Sequence, residues 1–136
     1  MNNGALKFKV IMPDWDDISL FEIVASSDDW QASLRFWGYA DFVKNFAKQL
    51  ISFSGQKNDS AVYKIGNELL IRAYCYDGAG GHPAIEIVIN NNLEEPELRT
   101  ARFSLLSEVS QINVLGKLLS GWDPKIETEI VWETNL

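Results

Sequence analysis

The strongest constraint on the fold is a stretch of two alternating segments joined by a glycine-rich turn, Glu68 to Asn90. In the first segment, every second residue is apolar or small, and these residues share one face: Leu69, Ile71, Ala73 and Cys75. The second segment repeats the pattern with Ile85, Ile87 and Ile89. A period of two residues, bounded by turn residues, predicts an antiparallel strand pair with at least one face in the core. The glycines of the turn 77–81 readily accept positive φ.

Alternation of the same kind predicts further strands before and after this hairpin. Short polar turns separate the first three of them, so they are predicted to form a meander of neighbouring antiparallel strands. The predicted strands are Leu6–Met12, Ile18–Ser26, Trp30–Trp37, Ala61–Ile65, Arg99–Leu106 and Ile126–Trp132.

Two segments change to the three-and-four spacing of an amphipathic helix. The first is predicted over Ala40–Phe53, with Lys44 on its wet face and with these apolar positions: Phe42, Val43, Phe46, Ala47, Leu50 and Ile51. The second is predicted to begin after Ser107, a residue type favoured as an N-cap, with Gly116 weakening its middle. Its apolar set is Val109, Ile112, Leu115, Leu118 and Leu119.

These elements predict a single α+β domain over residues 1–136. The order is β-β-β-α-β-β-β-β-α-β, with about seven to eight strands in a mainly antiparallel sheet and two helices packed on it. The order of the strands within the sheet does not follow from these patterns.

The charge balance narrows the class of partner. The formal net charge is −7, which argues against nucleic-acid binding because nucleic-acid binders need a basic surface. It suits a basic protein partner, although an ordinary acidic protein of the cytoplasm is the simpler explanation of the charge alone. With one cysteine, Cys75, the chain forms no internal disulfide, and no apolar run reaches membrane-spanning length. We expect a cytoplasmic protein with no membrane contact.

Asp77 and His82, the only histidine, form the sharpest candidate for chemistry. A carboxylate beside an imidazole is a familiar acid–base arrangement. No serine or cysteine nearby has the context of a nucleophile, and Cys75 is predicted to point into the core. The acidic clusters lack the spacing of a calcium loop, and one histidine with one cysteine makes structural zinc improbable. We therefore expect no catalytic residues, no metal and no cofactor.

Exposed aromatic residues are the remaining signal. Arg72, Tyr74 and Tyr76 share the face opposite the aliphatic one, and Arg35 with Trp37 share the corresponding face of the third strand. If these strands adjoin, the sheet carries a Trp/Tyr/Arg surface, which is the composition of a protein-binding hot spot. The alternative is that the helices cover this face and the aromatic residues belong to the core.

Several of these motifs recur together in one known group of proteins. They are Arg35-Phe36-Trp37-Gly38, a helix with Phe42, Phe46 and Leu50, a turn Asp77…Gly81-His82 followed by Ile85 and Ile87, and a last helix with spaced leucines. Over about Trp30 to Leu119 the chain resembles the WapI-type bacterial immunity proteins and related small domains. Their central turn is Asp-x-x-Gly-His, whereas here three residues, Ala79 and Gly80 among them, separate Asp77 from the Gly81-His82 pair, and Pro83 follows the histidine.

The resemblance implies a non-enzymatic antidote that binds and neutralises a cognate toxin protein. Its candidate partner-binding residues are Trp37, Arg72, Tyr74, Tyr76, Asp77 and His82. Two alternatives stay open at this stage. One is a small-molecule-binding or hydrolytic domain that uses Asp77 and His82, and the other is a subunit that self-associates through its sheet.

Overall fold

The computed structural model describes residues 3–13, 18–77, 80–124 and 128–135. Within these ranges, eight strands and two helices follow one another in the predicted order. The strands are β1 (Asn3–Pro13), β2 (Ile18–Ser27), β3 (Trp30–Tyr39), β4 (Ala61–Ile65), β5 (Leu69–Cys75), β6 (Pro83–Asn90), β7 (Thr100–Leu106) and β8 (Glu129–Asn135). Helix α1 (Ala40–Ile51) follows β3, and helix α2 (Val109–Ser120) follows β7.

The strands divide into two four-stranded antiparallel sheets. The first sheet has the order β3-β2-β1-β8, because the last strand returns beside the first, and the second sheet has the order β4-β5-β6-β7. The predicted α+β class and antiparallel pairing are confirmed. The division into two sheets, with α1 as the connection between them, is a feature that the sequence patterns do not contain.

The hairpin that dominates the sequence forms the centre of the second sheet. Leu69 pairs with Ile89, Ile71 with Ile87 and Ala73 with Ile85, so the two aliphatic faces coincide as predicted. A slip of one residue would turn every one of these side chains to the other face. Of the turn that joins the strands, Gly78 and Ala79 lie outside the described residues.

One hydrophobic core joins both sheets and both helices. Aromatic side chains link the layers: Phe21 of the first sheet lies 5.7 Å from Trp122, and Phe36 lies 6.2 Å from Tyr63 of the second sheet, between ring centroids. Phe46 of α1 packs on the same tyrosine at 5.6 Å. Because the inner faces of the two sheets are buried in this shared core, their outer faces form separate surfaces.

The two helices bind each other's carboxyl ends. Lys44 of α1 donates hydrogen bonds to three carbonyl groups at the end of α2, those of Leu119, Ser120 and Trp122, at 2.7–3.2 Å. In return, the Asn113 side chain of α2 donates to the carbonyl groups of Leu50, Ile51 and Phe53 at the end of α1. The last carbonyl groups of a helix have no partner within it, so these contacts satisfy groups that would otherwise need water. Lys44, predicted on the wet face, is therefore a structural residue.

Gly116 permits the close approach of the two helices. A Cβ atom added there would lie 2.7 Å from the nitrogen of Ile51 and 2.9 Å from the carbonyl oxygen of Ala47. The glycine thus has a packing role beyond the local weakening that its helix propensity predicts. The buried faces of the two helices are narrower than predicted, because Ile51 and Leu118 are exposed. Helix α1 is also shorter than predicted, since it ends at Ile51 and does not reach Phe53.

The predicted start of the second helix is wrong by one residue. Glu108 occupies the N-cap position and makes no side-chain capping bond, while the Ser107 hydroxyl lies 3.3 Å from the Glu108 carbonyl oxygen and from Gln111 Oε1. Ser107 is buried, so its hydroxyl serves this local network instead of the first free N–H groups of the helix. The predicted last strand starts three residues earlier than β8, and its residues 126 and 127 lie outside the described ranges.

Candidate functional site

The Asp77–His82 pair predicted from the central turn is present. Nδ1 of His82 contacts Oδ2 of Asp77, and the His82 side chain is 62% exposed. The backbone N–H of Tyr76 donates to the His82 carbonyl group at 3.1 Å, and the ring centroids of Tyr76 and His82 lie 6.1 Å apart. The pair therefore lies at the turn end of the β5–β6 hairpin, on the protein surface.

Cys75, the only thiol of the chain, is directed away from this pair. Its Sγ atom lies 3.0 Å from the carbonyl oxygen of Gly55, and the N–H of Gly81 donates to the same oxygen at 2.8 Å. These two contacts attach the hairpin end to the loop 54–60, so the half-buried thiol has a structural setting. A Cβ atom on Gly80 would lie 3.2 Å from the nitrogen of Lys57, which explains why this turn residue is a glycine.

The loop 54–60 lines an open depression of about 570 Å³. Asp59 organises it by accepting hydrogen bonds from the hydroxyl and the backbone N–H of Ser54, both at 2.7 Å. These bonds favour the ionised carboxylate and lower the pKa of Asp59. The bonds explain the shape of the loop.

The outer face of the second sheet carries an ion-pair ladder across three strands. Glu86, whose side chain is only 7% exposed, is paired with Arg72 at 3.2 Å and with Arg102 at 3.0 Å. The guanidinium group of Arg72 also lies 4.3 Å from the centre of the Tyr74 ring, and the Tyr74 hydroxyl is 3.1 Å from that of Ser104. Both arginines bind the same carboxylate from neighbouring strands, so the ladder ties the three strands together across this face.

The structure brings five of the six predicted partner-binding residues together and separates the sixth. Arg72 and Tyr74 of β5 continue into Tyr76, Asp77 and His82 at the end of the hairpin. Trp37 belongs to β3, an edge strand of the other sheet. The strands of Trp37 and Tyr74 therefore do not adjoin, and the single Trp/Tyr/Arg surface that depended on this condition is not formed.

Trp37 belongs instead to an apolar patch on the outer face of the first sheet. Across the strands, Met12 pairs with Leu20, which pairs with Trp37, and in the next row Ile18 pairs with Tyr39. The side chains of Met12, Trp37 and Tyr39 are 54%, 50% and 45% exposed. We call these five residues the aromatic patch. Helix packing does not cover it, which excludes the core interpretation of Trp37.

Sequence patterns missed most of this patch for a physical reason. A β-bulge between Val10 and Met12 breaks the alternation of β1, so Met12 turns to the outer face where the pattern alone is ambiguous. The predicted third strand ends at Trp37, whereas β3 continues to Tyr39, which the alternation of that strand places on the face of Trp37. The described residues contain no helix long and apolar enough to cross a membrane, and no group of three potential metal ligands.

Comparison with known proteins identifies no relative. No protein-family model, no curated protein and no solved structure matches this chain.

Proposed function

We propose that this chain is a non-enzymatic protein-binding domain of the immunity type, which binds a cognate toxin protein and covers its functional surface. The observation that carries the proposal is the aromatic patch. It combines Trp, Tyr and Met side chains, the residue types enriched in protein interfaces, and it is exposed on a rigid sheet. Apolar side chains that are exposed and contiguous across three strands are more typical of an interaction surface than of an ordinary solvent-exposed face.

Charge supports a protein partner with a basic surface. The chain carries a formal net charge of −7, and a toxin that acts on nucleic acid needs a basic surface to hold it. Attraction between the two would accelerate the encounter, while the buried apolar contact would set the lifetime of the complex. The first sheet supplies charges at the border of the patch, where Arg35 pairs with Glu22 at 3.1 Å.

The test is calorimetric titration of this protein with any toxin-like domain encoded immediately upstream of it. We expect saturable binding together with loss of the toxin's activity. A neighbouring gene without such a domain, or a folded and active toxin domain that shows no heat of binding, would contradict the proposal.

Trp37→Ala tests whether the aromatic patch makes the contact. Truncation of a central hot-spot residue removes ~2 kcal/mol, so we expect affinity to fall by about 30-fold. Val131→Ala is the matched control, because Val131 is equally exposed on the same sheet but lies in the opposite edge strand, β8. A loss that follows Tyr74→Ala or Tyr76→Ala instead would place the contact on the second sheet.

A small-molecule-binding or hydrolytic role is the second candidate, because the Asp77–His82 contact is formed and the imidazole is open to solvent. In that role the carboxylate would orient the imidazole as a general base. The test is a screen of ester and amide substrates with the wild-type protein and His82→Ala. Activity that is equal in the two proteins, or absent from both, removes this candidate.

A further inference from the structure

Three connections of the chain meet at one end of the molecule. The turn between β2 and β3 leads into residues 31–33, which line a cleft together with residues from the end of β6 and the start of β7. The turn between β4 and β5 reaches the same end, because the carbonyl group of Glu68 accepts a hydrogen bond from the N–H of Asn90. Loops that are separated by up to seventy residues thus border one opening between the sheets.

The opening is a cleft of about 330 Å³ between the two sheets. Ala32, Ile89 and Ala101, which point to the inner side of their strands, form its apolar part. Two of the three are alanines, so the core ends in small side chains that do not fill the space between β3 and β7. Beside the cleft, Trp30 is 73% exposed and Leu93 is 49% exposed.

Carboxylates dominate the charge of the three connections that lead to the cleft. The three connections carry six of them: Asp28, Asp29, Glu68, Glu94, Glu95 and Glu97. The cation that lines the cleft is Arg99, whose Nη1 group donates to the carbonyl groups of Pro96 and Leu98 at 3.3 and 3.2 Å. The arginine thus donates to carbonyl groups of its own loop, and the three connections together carry six carboxylates against this one cation.

The longest of these connections is held in shape by its own side chains. Asn91 accepts a hydrogen bond from the N–H of Arg99 at 2.9 Å and donates one to the carbonyl group of Glu97 at 3.0 Å. Asn90 accepts one from the N–H of Asn92 at 2.8 Å. A border that is ordered before binding loses less conformational entropy when a partner docks.

We propose that this cleft receives a basic segment of the protein partner, with an arginine side chain in the cleft beside Trp30 and its neighbouring cations against the carboxylates. An arginine fits because its stem packs on apolar surface, its planar head group stacks on an indole, and its charge complements the border. The inference rests on the proposed function and extends it, since it names the chemistry of the partner and a second contact surface. Nucleic acid does not fit, because the border would repel phosphates.

The experiment is an NMR titration of the ¹⁵N-labelled protein with a short peptide in which arginines flank a leucine. We expect saturable shifts confined to residues 30–33 and 89–101 and to the Trp30 indole. The same peptide with citrulline in place of arginine should bind at least about fivefold more weakly at low salt, since citrulline keeps the shape and removes the charge. Shifts spread over all acidic surfaces, equal binding of the citrulline peptide, or no shifts at millimolar peptide would overturn the proposal.

Charge-removing variants locate the contact. Glu94→Gln with Glu95→Gln should weaken the arginine peptide at least about threefold. The control pair, Glu129→Gln with Glu133→Gln, makes the same change of charge on β8, and we expect it to have no effect on the peptide. Trp30→Ala should weaken the peptide while leaving the fold intact, because the exposed ring is not part of the core. Equal effects of the two pairs would assign the binding to net charge alone and reject the cleft.

Failure of this inference and failure of the proposed function are distinguishable. A toxin domain that binds the Glu94/Glu95 and Trp30 variants as tightly as the wild type, but loses affinity for Trp37→Ala, rejects the cleft and keeps the function. Binding of the arginine peptide at the cleft without binding of the toxin domain keeps the basic-segment site and rejects the immunity role.

Discussion

Tyr63 shows how a single buried polar atom governs the response of the protein to alkaline pH. Its hydroxyl has no hydrogen-bond partner among the described protein atoms, and it packs against β3 at Gly38, where an added Cβ atom would lie 3.1 Å from it. Burial raises the pKa of Tyr63 to about 12. The folded state therefore holds this proton more tightly than the unfolded chain does.

The sign of the pH effect follows from this difference. Below pH 10 Tyr63 is protonated in both the folded and the unfolded state, and the folded protein has its full stability. As the pH rises from 10 towards 12, the unfolded chain loses this proton while the folded protein keeps it, so the free energy of unfolding falls. The Tyr63→Phe variant has no proton to lose at this position and escapes this fall. The difference in free energy of unfolding between the variant and the wild type should therefore grow by about 2–3 kcal/mol in favour of the variant from pH 10 to pH 12. Urea denaturation at pH 7, 10 and 12 measures it, with the exposed Tyr76→Phe as the control. A constant difference across this range would contradict the prediction.

At neutral pH, Tyr63→Phe should match or exceed the wild type by up to about 1 kcal/mol, because a buried hydroxyl without a partner opposes folding. Denaturant unfolding at pH 7 measures this difference. A loss of more than that amount would mean that the hydroxyl has a hydrogen-bond partner.

Gly116 illustrates how packing overrides helix propensity. Gly116→Ala places a Cβ atom 2.7 Å from the backbone nitrogen of Ile51, and backbone atoms of a packed helix do not move away easily. We expect a loss of about 1–3 kcal/mol in the free energy of unfolding, despite a gain of up to ~1 kcal/mol in intrinsic helix propensity. Gly121→Ala is the matched control, since its Cβ atom would lie 3.5 Å from the Lys117 carbonyl oxygen, an ordinary contact. Equal thermal midpoints for the two variants would disprove the packing role.

At the scale of elements, the reciprocal bonds between α1 and α2 orient the helix pair. Lys44→Met keeps the apolar stem of the side chain but removes the donor to three carbonyl groups at the end of α2. We expect a loss of about 1–2 kcal/mol, the sum of lost hydrogen bonds and a lost favourable interaction with the helix dipole. Lys48→Met, on the exposed side of the same helix, is the control and should change the unfolding free energy by less than about 0.5 kcal/mol. Similar losses in both variants would show that the interhelical bonds contribute no special stability.

At the scale of the whole molecule, the shared core predicts that the two sheets unfold together. Trp122 and Tyr63 connect aromatic residues of both sheets and of α1, so neither sheet keeps its buried face when the other is lost. We expect one cooperative transition, with far-ultraviolet circular dichroism and tryptophan fluorescence changing at the same denaturant concentration. Two separated transitions would show that each sheet is stable alone.

Local periodicity accounts for the parts of the fold that were predicted correctly. The alternation in Leu69–Cys75 and Pro83–Asn90 predicts which side chains share a face. The two strands pair in the register that places both aliphatic faces on the same side of the sheet. The errors lie at ends, as at Ser107 and Phe53, where the terminal residues of a helix obey tertiary contacts more than propensity. For the candidate site, the sequence predicted the Asp77–His82 contact because only four turn residues separate the two in the chain.

By itself, then, the sequence determined the order of the elements, the sets of side chains that share a face in each regular strand and the excess of negative charge, because each of these depends on neighbours along the chain. Only the tertiary structure decided that β3 and β5 belong to different sheets, that Trp37 is exposed with Met12 and Tyr39, and that three distant turns border one cleft. The physical reason is that alternation specifies the face of a strand but not its neighbours. Strand neighbours are selected by the packing of all inner faces into one core, which no local pattern encodes.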